Sequence, residues 1–396
     1  MKIILVLLET QWIIRLMFAY TLTDEQNLHT SLLTGYNRDL RPGYDRNKPL
    51  GINASFYLFS INDFDLNTGK FTITGVFLLN WNDERLSWNP ATYNQGNTTS
   101  IPQKKIWLPN FINVNPFKDI KGLGSDLITV DVDYSGLCSW YAVQAFEVIC
   151  DPDVTKYPFD TQYCALKFFI WGYDKTAVNL YFESSRVILT LYSENGIWEI
   201  TDSTTHKQLH FHGNEEFVVG FHLKRRTDYY IASLILPISS ISLLLGFVFL
   251  LPAESGERVG FATTILLSTV VYLTIIQGKL PEASEPNMSI LGYILVSYVL
   301  SGTILVVFVI ISLRIQNSPC DKPIPGIFVR FVVCCRRKRK MVDVKDIDSK
   351  STIFKEDEDS QVTWKDVGTY FDLVCFFISV IQFMVTVTVY FSLVCA

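Results

Sequence analysis

Polar and apolar residues alternate along the first half of this chain and separate into long blocks along the second. Phe71, Ile73, Gly75, Phe77, Leu79 and Trp81 interleave with Thr72, Thr74, Val76, Leu78 and Asn80, the period-two pattern of a long half-buried strand, broken by one small residue at Gly75. Short strand-like runs punctuated by Gly, Pro and Asn continue to Arg226. Before them, Thr23-Asp24-Glu25-Gln26 fits a capping box for a short helix with Leu28, Leu32 and Leu33 on one side. Beyond Arg226 come four apolar runs, Tyr229 to Leu251, Val259 to Ile276, Ile290 to Leu313 and Leu373 to Ala396. Each is near the roughly 20 residues that cross a bilayer core. Four such runs in one chain disfavour buried helices of a soluble protein. The pattern predicts a multidomain β + α chain, with an extracellular antiparallel β-sandwich (Ig-like) followed by a four-helix transmembrane bundle.

Charge then orients the spans. The basic cluster Arg336-Arg337-Lys338-Arg339-Lys340 and Arg330 lie between the third and fourth runs, which places that segment in the cytoplasm and both the first half and the C-terminus outside. The cluster abuts an apolar segment and the net charge is only -5, so lipid headgroups rather than nucleic acid are the expected partner. Downstream, Lys355-Glu356-Asp357-Glu358-Asp359 predicts a disordered stretch. The apolar N-terminus, with Lys2 early and Ala19-Tyr20 at its end, fits a secretory signal. The expected layout is a signal over 1–20, a ligand-binding sandwich over 21–226, three spans over 227–314, a cytoplasmic loop over 315–365 and the fourth span over 366–396.

The second run is the unusual one. It carries Thr263, Thr264, Ser268, Thr269 and Thr274, and polar residues inside a span usually face a bundle interior or water. Gly260, Thr264, Leu267, Val271, Thr274 and Gly278 step by four and three and share one helical face. In a symmetric oligomer that stripe lines a channel, with Leu267 and Val271 as an apolar constriction able to close by dewetting. Glu257 at the cytoplasmic end would attract cations, and Arg258 is expected to point away from the lumen. Two plainer readings compete: Glu257 as a helix-start residue on the macrodipole, and the stripe as a packing face.

Cys150 and Cys164 bracket thirteen residues that include Tyr157-Pro158-Phe159-Asp160. A signal implies an oxidising compartment, so a bridge between them is reasonable, and a Tyr-Pro step can turn sharply in the cis form. A disulfide that only staples a hairpin is the alternative reading. Asn53-Ala54-Ser55 and Asn97-Thr98-Thr99 are glycosylation sequons in the exposed half. His206, His210 and His212 sit in a polar stretch between strands; a solvated loop is the ordinary reading and a weak metal or proton site the other. No catalytic set, phosphate loop or cofactor motif emerges, so neither an enzyme nor a cofactor is expected.

These pieces together resemble the Cys-loop family of pentameric ligand-gated ion channels. The resemblance runs from Thr23 to Ala396 and is carried by the Cys150–Cys164 loop with Tyr-Pro-Phe-Asp inside it, Trp107-Leu108-Pro109, Trp81 with Trp88, and the Arg225-Arg226-Thr227-Asp228-Tyr229-Tyr230 lead into the first span. Pro252-Ala253-Glu254-Ser255-Gly256-Glu257-Arg258 and Trp364-Lys365-Asp366-Val367 extend it. The cationic nicotinic and serotonin-gated branch is the nearest, because anion-selective members carry an extra Pro-Ala pair where Ser-Gly-Glu-Arg stands here. The resemblance implies a homopentamer or assembly with related subunits, permeant monovalent cations, Glu257 as the selectivity residue and Leu267 as the gate. It makes Arg225 a coupling residue, with Leu66 at the usual glutamate position and Asp63 or Asp65 as substitutes. Phe159 and Asp160 would meet the linker from Pro281 to Pro286.

The implied agonist site departs from the family pattern. Trp171 matches the central tryptophan, but Val114 and Val76 stand where aromatics are usual, and the remaining tyrosine positions fall near Lys207 and Asn214. Trp140 and Tyr141 are expected to add aromatic area on the complementary strand. A wider, more apolar pocket suits a larger amphipathic agonist better than acetylcholine or serotonin. The competing functions are a non-conducting accessory subunit and a proton- or metal-gated channel.

Overall fold

The computed structural model describes residues 20–209, 215–278, 280, 288–319, 323–330, 332–333 and 362–395. Most of the expected signal, His210, His212, Asn214, the Pro281–Pro286 linker, and the basic and acidic runs of the cytoplasmic segment lie outside the described residues. The chain divides into two compact units, one of Met1–Pro152 with Thr161–Arg226, the other of Asp153–Asp160 with Thr227–Ala396.

The first unit opens with helix α1 (Leu22–Leu33), whose cap is Thr21 rather than the expected Thr23. Asp24 sits three residues on, and each partner's side chain accepts from the other's backbone N–H. Ten strands follow: β1 (Leu50–Asp65), β2 (Lys70–Asn82), β3 (Thr98–Pro102), β4 (Phe111–Asn113), β5 (Thr129–Asp133), β6 (Leu137–Ile149), β7 (Thr161–Ile170), β8 (Val178–Phe182), β9 (Trp198–Leu209) and β10 (Glu215–Arg225). They form a six-stranded sheet in the order β3-β5-β6-β2-β1-β8 and a four-stranded sheet in the order β4-β7-β10-β9. Among the strand pairs of the described residues, the expected all-antiparallel pattern has one exception. β8 runs parallel to β1, because the chain reaches it by crossing over from β7 in the other sheet.

The alternation along β2 sends Phe71, Ile73, Phe77, Leu79 and Trp81 into the core. Phe77 is the hub, its ring 4.6 Å from Phe56, 4.8 Å from Phe168, 5.2 Å from Phe111 and 5.7 Å from Phe146. Gly75 is small for a packing reason, since a Cβ there would lie 2.7 Å from the Phe56 ring and 2.6 Å from the Tyr57 carbonyl oxygen. His206 lies within β9 rather than in a polar stretch between strands, paired with Val218.

The second unit is helical. α2 (Asp228–Leu250), α3 (Arg258–Gln277), α4 (Ile290–Gln316) and α5 (Trp364–Cys395) are each long and apolar enough to cross a membrane. In α2 a stretch of wider turns, Ile231–Ile235, precedes Pro237 and accommodates the residue that lacks an N–H. α5 begins at Trp364, nine residues before the apolar run and two before the expected domain boundary. Its first turns carry Lys365, Asp366 and Asp372, which mask the helix in a hydropathy reading. Thr363 caps it through a reciprocal pair with Asp366. The four helices meet around Leu245, Val248, Phe249, Ala262, Ile265, Leu305, Val309 and Cys375.

One polar knot stabilises the first unit away from the aromatic core. Asp83, fully buried, accepts from Arg85 Nε and Nη2 at 2.8 and 2.7 Å and from the Tyr36 hydroxyl at 2.7 Å. Tyr36 in turn accepts from the Trp107 N–H at 3.0 Å, and burial pushes its phenol well above the usual range. Asp83→Ala removes the carboxylate partner of Arg85 and leaves it the Asn37 carbonyl and the Tyr36 hydroxyl; because Arg85 also keeps 22% of its side chain exposed, the expected loss is about 2–3 kcal/mol, below the value for a fully buried pair. Hydrogen exchange at the β2 and β6 amides of the full chain measures it, and unchanged protection would contradict the reading.

Candidate functional site

α3 has two unlike faces. Arg258, Ala262, Ile265, Thr269 and Ile276 are buried among the other helices, whereas Glu257, Gly260, Thr264, Leu267, Val271, Thr274 and Gly278 are all exposed. Leu267 is 63% exposed and Val271 50%, high values for aliphatic side chains in the middle of an apolar helix. The residues predicted to share one face thus lie opposite the face that packs. The threonine hydroxyls on this helix donate to carbonyls one turn back, Thr264 to Gly260 and Thr274 to Val270. Their lone pairs remain available on the exposed side. A Cβ added at Gly260 would meet nothing within 4 Å, so the narrow side chain leaves open space.

At the start of α3, Arg258 turns inward as expected, with 4% exposure, while Glu257 next to it stays outside. Gly256 permits this bend by adopting a left-handed conformation at φ 70°.

Cys150 at the end of β6 is disulfide-bonded to Cys164 on β7, with the Cα atoms 5.4 Å apart. Tyr157-Pro158 is cis. By its contacts the tip, Asp153–Asp160, belongs to the helical unit. Phe159 lies 6.5 Å from both Tyr390 and Phe391 of α5, Tyr157 lies 5.7 Å from Tyr230, and the Thr155 carbonyl accepts from the Ile290 N–H at 2.9 Å. Asp160 is buried. The Pro281 linker, the expected neighbour of Phe159, lies outside the described residues.

Arg225 is buried, its guanidinium carbon 4.1 Å over the Trp198 ring. Asp65 holds the β1–β2 turn, accepting from the Thr68 hydroxyl at 2.7 Å and the Asn67 N–H at 2.9 Å. The Thr68 bond comes first among the causes that lower its carboxyl below the usual range. Cys138 is buried and its thiol pushed up by desolvation. Asn53 and Asn97 are both exposed, Asn53 in mid-strand between β2 and β8.

The expected ligand-binding residues fall on two different sheets. Trp171, 60% exposed just after β7, keeps its ring 5.5 Å from Phe169, and Val114 follows β4 in the same sheet, its N–H bonded to the Lys167 carbonyl. Val76 and Tyr141 lie on the same face of the six-stranded sheet, where Val76 pairs with Val143 and Tyr141 with Leu78, but Tyr141 is 47% exposed and Val76 is buried at 6%. Trp140 is corrected. Strand alternation turns it away from Tyr141 into the core, where it is 1% exposed and its indole N–H donates to Gln103 Oε1 at 3.0 Å. Sequence reading missed Lys207 as a partner. Its ammonium lies 5.1 Å over the Tyr181 ring, 2.9 Å from Glu215 Oε2 and 3.2 Å from Asn179 Oδ1. The signal available was the lysine itself at a position where an aromatic was expected. Among the described residues no group of three or more His, Cys, Asp or Glu is placed to hold a metal ion.

A two-sheet sandwich joined to four apolar helices, one bearing an exposed hydroxyl-and-aliphatic stripe, defines a ligand-binding domain attached to a membrane domain. Residues 25–227 match the ligand binding domain of neurotransmitter-gated ion channels and residues 234–326 match their transmembrane region. The chain belongs to this family, on its nicotinic branch, and is a multi-pass plasma-membrane protein with its ligand-binding domain outside the cell. It is 29% identical over 312 residues to neuronal acetylcholine receptor subunit alpha-6 of Rattus norvegicus, covering 76% of this chain and 62% of that protein. It is 31% identical to neuronal acetylcholine receptor subunit non-alpha-2 of Carassius auratus (76% and 65% covered). With ligand-gated ion channel 4 of Caenorhabditis elegans the identity is 30% (74% and 47% covered). The chain thus spans under two thirds of the length of these relatives.

The two faces of α3 predict thiol accessibility. Cysteines placed one at a time at Thr264, Leu267 and Val271 should react with a membrane-impermeant thiol reagent in the assembled protein, and cysteines at Ala262 and Ile265 should not. Equal labelling of the two sets would refute the assignment.

Proposed function

We propose that this chain is a subunit of a pentameric, cation-permeable channel opened by an extracellular ligand. The observation that carries the reading is the stripe of α3, Glu257, Gly260, Thr264, Leu267, Val271 and Thr274, exposed in a single subunit opposite the face that packs. Around a symmetric axis this face becomes a lumen with a carboxylate ring at one end and aliphatic rings at mid-height, an arrangement that admits cations and closes by dewetting. The pentamer forms from copies of this chain or with related subunits. Ligand binding in the sandwich acts on the helices through the Cys150–Cys164 loop, whose tip residues Phe159 and Asp160 are held within the helical unit, and through Arg225. Asp65 is committed to its own turn, which makes it a poor partner for Arg225.

The agonist is a larger amphipathic molecule rather than acetylcholine or serotonin. Val114, half-buried, supplies apolar width instead of an aromatic face, Val76 stands buried where another aromatic is usual, and the Tyr181 ring is already engaged by the Lys207 ammonium. Trp171, 60% exposed with its ring 5.5 Å from Phe169, then offers an aromatic surface for a ligand on the four-stranded sheet.

Expression in oocytes tests both parts. Glu257→Ala should lower the preference for sodium over chloride, read as a shift in reversal potential toward that of chloride. Currents that appear only with a second subunit would favour an accessory role. Saturable currents at micromolar acetylcholine, abolished by Trp171→Ala, would overturn the agonist assignment.

A further inference from the structure

The helical unit holds a buried ion pair that the channel reading does not use. Arg258, at the first turn of α3, and Asp372, two turns into α5, are 5% and 7% exposed at their side chains, with Arg258 Nη1 2.9 Å from Asp372 Oδ2. The pair is fully furnished with further partners. Asp372 Oδ2 also accepts from Gln316 Nε2 at 2.6 Å, and Asp372 Oδ1 accepts from the Ser312 hydroxyl, both on α4. Arg258 Nη1 lies 3.4 Å from Ser312 Oγ, and Arg258 Nε donates to the carbonyl of Leu251 at the end of α2. One cluster therefore ties all four helices together at the end of α3 where Glu257 stands.

An ionisable pair among membrane helices is costly and is kept where a specific geometry needs it. What this pair fixes is the rotation of α3. Consecutive residues on a helix lie ~100° apart around its axis. With Arg258 pinned toward α4 and α5, Glu257 is left on the exposed face, and Gly256 supplies the left-handed turn that lets the chain arrive in that orientation. Released from Asp372, the guanidinium would be drawn to water, and the start of the helix would turn with it, carrying Glu257 off the stripe. The neighbouring pair of Lys365 and Glu254 is 78% and 85% exposed and adds little.

We propose that Asp372 is a positioning residue for Glu257: through Arg258 it sets the azimuth of the pore helix and so the carboxylate that selects ions. This rests on the channel reading for its consequence, but its geometry is testable without current. The full chain bearing Glu257→Cys is labelled from the cytoplasmic side with a membrane-impermeant thiol reagent, and the modified peptide is quantified by mass spectrometry. Adding Asp372→Asn should slow labelling at 257 several-fold. The exchange Arg258→Asp with Asp372→Arg should restore it, which a merely space-filling role for Asp372 would not produce. In currents, Asp372→Asn should shift the reversal potential in the same direction as Glu257→Ala, and the two together should add no further shift. Unchanged labelling in Asp372→Asn, or an exchange variant that neither labels nor reaches the membrane, overturns the proposal. If the labelling pattern holds while the unmodified chain passes no current with any subunit, the channel reading fails and the positioning role stands.

Discussion

The disulfide between Cys150 and Cys164 is the constraint around which the rest is arranged, because its two ends sit in different sheets. β6 belongs to the six-stranded sheet and β7 to the four-stranded one. A chain that leaves one layer and enters the other is normally held only by side-chain packing across the core. Here that packing is dense, with Phe111 and Phe168 stacked 5.0 Å apart and Phe146 edge-on to Phe168 at 5.7 Å. The covalent link clamps the layers at one end and contributes about 3 kcal/mol by the loop-entropy argument. Its second effect is on the residues it encloses. Once Cys150 and Cys164 are fixed, Asp153–Asp160 has less conformational freedom to lose, and its apolar tip finds its contacts in the helical unit. The link that stiffens the sandwich is thus also the one that closes the loop bearing Phe159 and Asp160, the residues to which the proposed function gives the coupling role.

Much of this was legible because the relevant signals are local and periodic. The period of two along β2 and the four-and-three steps along α3 each follow from the geometry of one element. Both survive folding: Phe77 and Leu79 are fully buried and Leu267 and Val271 exposed. What was not legible depends on neighbours. Trp140 and Tyr141 are adjacent aromatics on β6, and nothing local says which of them faces the core; the choice is made by the register with β2 and by Gln103, thirty-seven residues away. The start of α5 was hidden because Asp372 counts against a membrane helix in any sum of hydropathies, whereas in the fold its charge is met by Arg258, 114 positions earlier. The cap of α1 moved from Thr23 to Thr21 because both threonines have an acidic or amide residue nearby, and only Thr21 has Asp24 at the reciprocal spacing. The residues expected to bind a ligand were the least legible part, since they are divided between two sheets, and Lys207 beside them acquires an aromatic partner only when β9 and β8 are brought together.

The contrast between α3 and its neighbours explains why a polar cluster does the orienting. Beside its hydroxyls, α3 carries aliphatic side chains on nearly every side, with Ile265, Leu266, Val270, Val271 and Ile275 distributed around it. In lipid, such residues distinguish poorly between facing a neighbouring helix and facing a hydrocarbon tail, because both environments are equally apolar. Rotation about the axis would therefore be weakly specified by packing alone, and a rotated helix would present Ile265 where Thr264 now stands. A buried pair with directional partners is different, since turning it away leaves a carboxylate and a guanidinium unpaired in a medium where that is severely penalised. The stability such a pair adds over well-packed aliphatics is small or negative; what it adds is uniqueness of azimuth. For a helix whose role depends on which face is turned outward, a loss of stability at Arg258 and Asp372 is offset by the certainty that Glu257, and not its neighbour, stands on the exposed side.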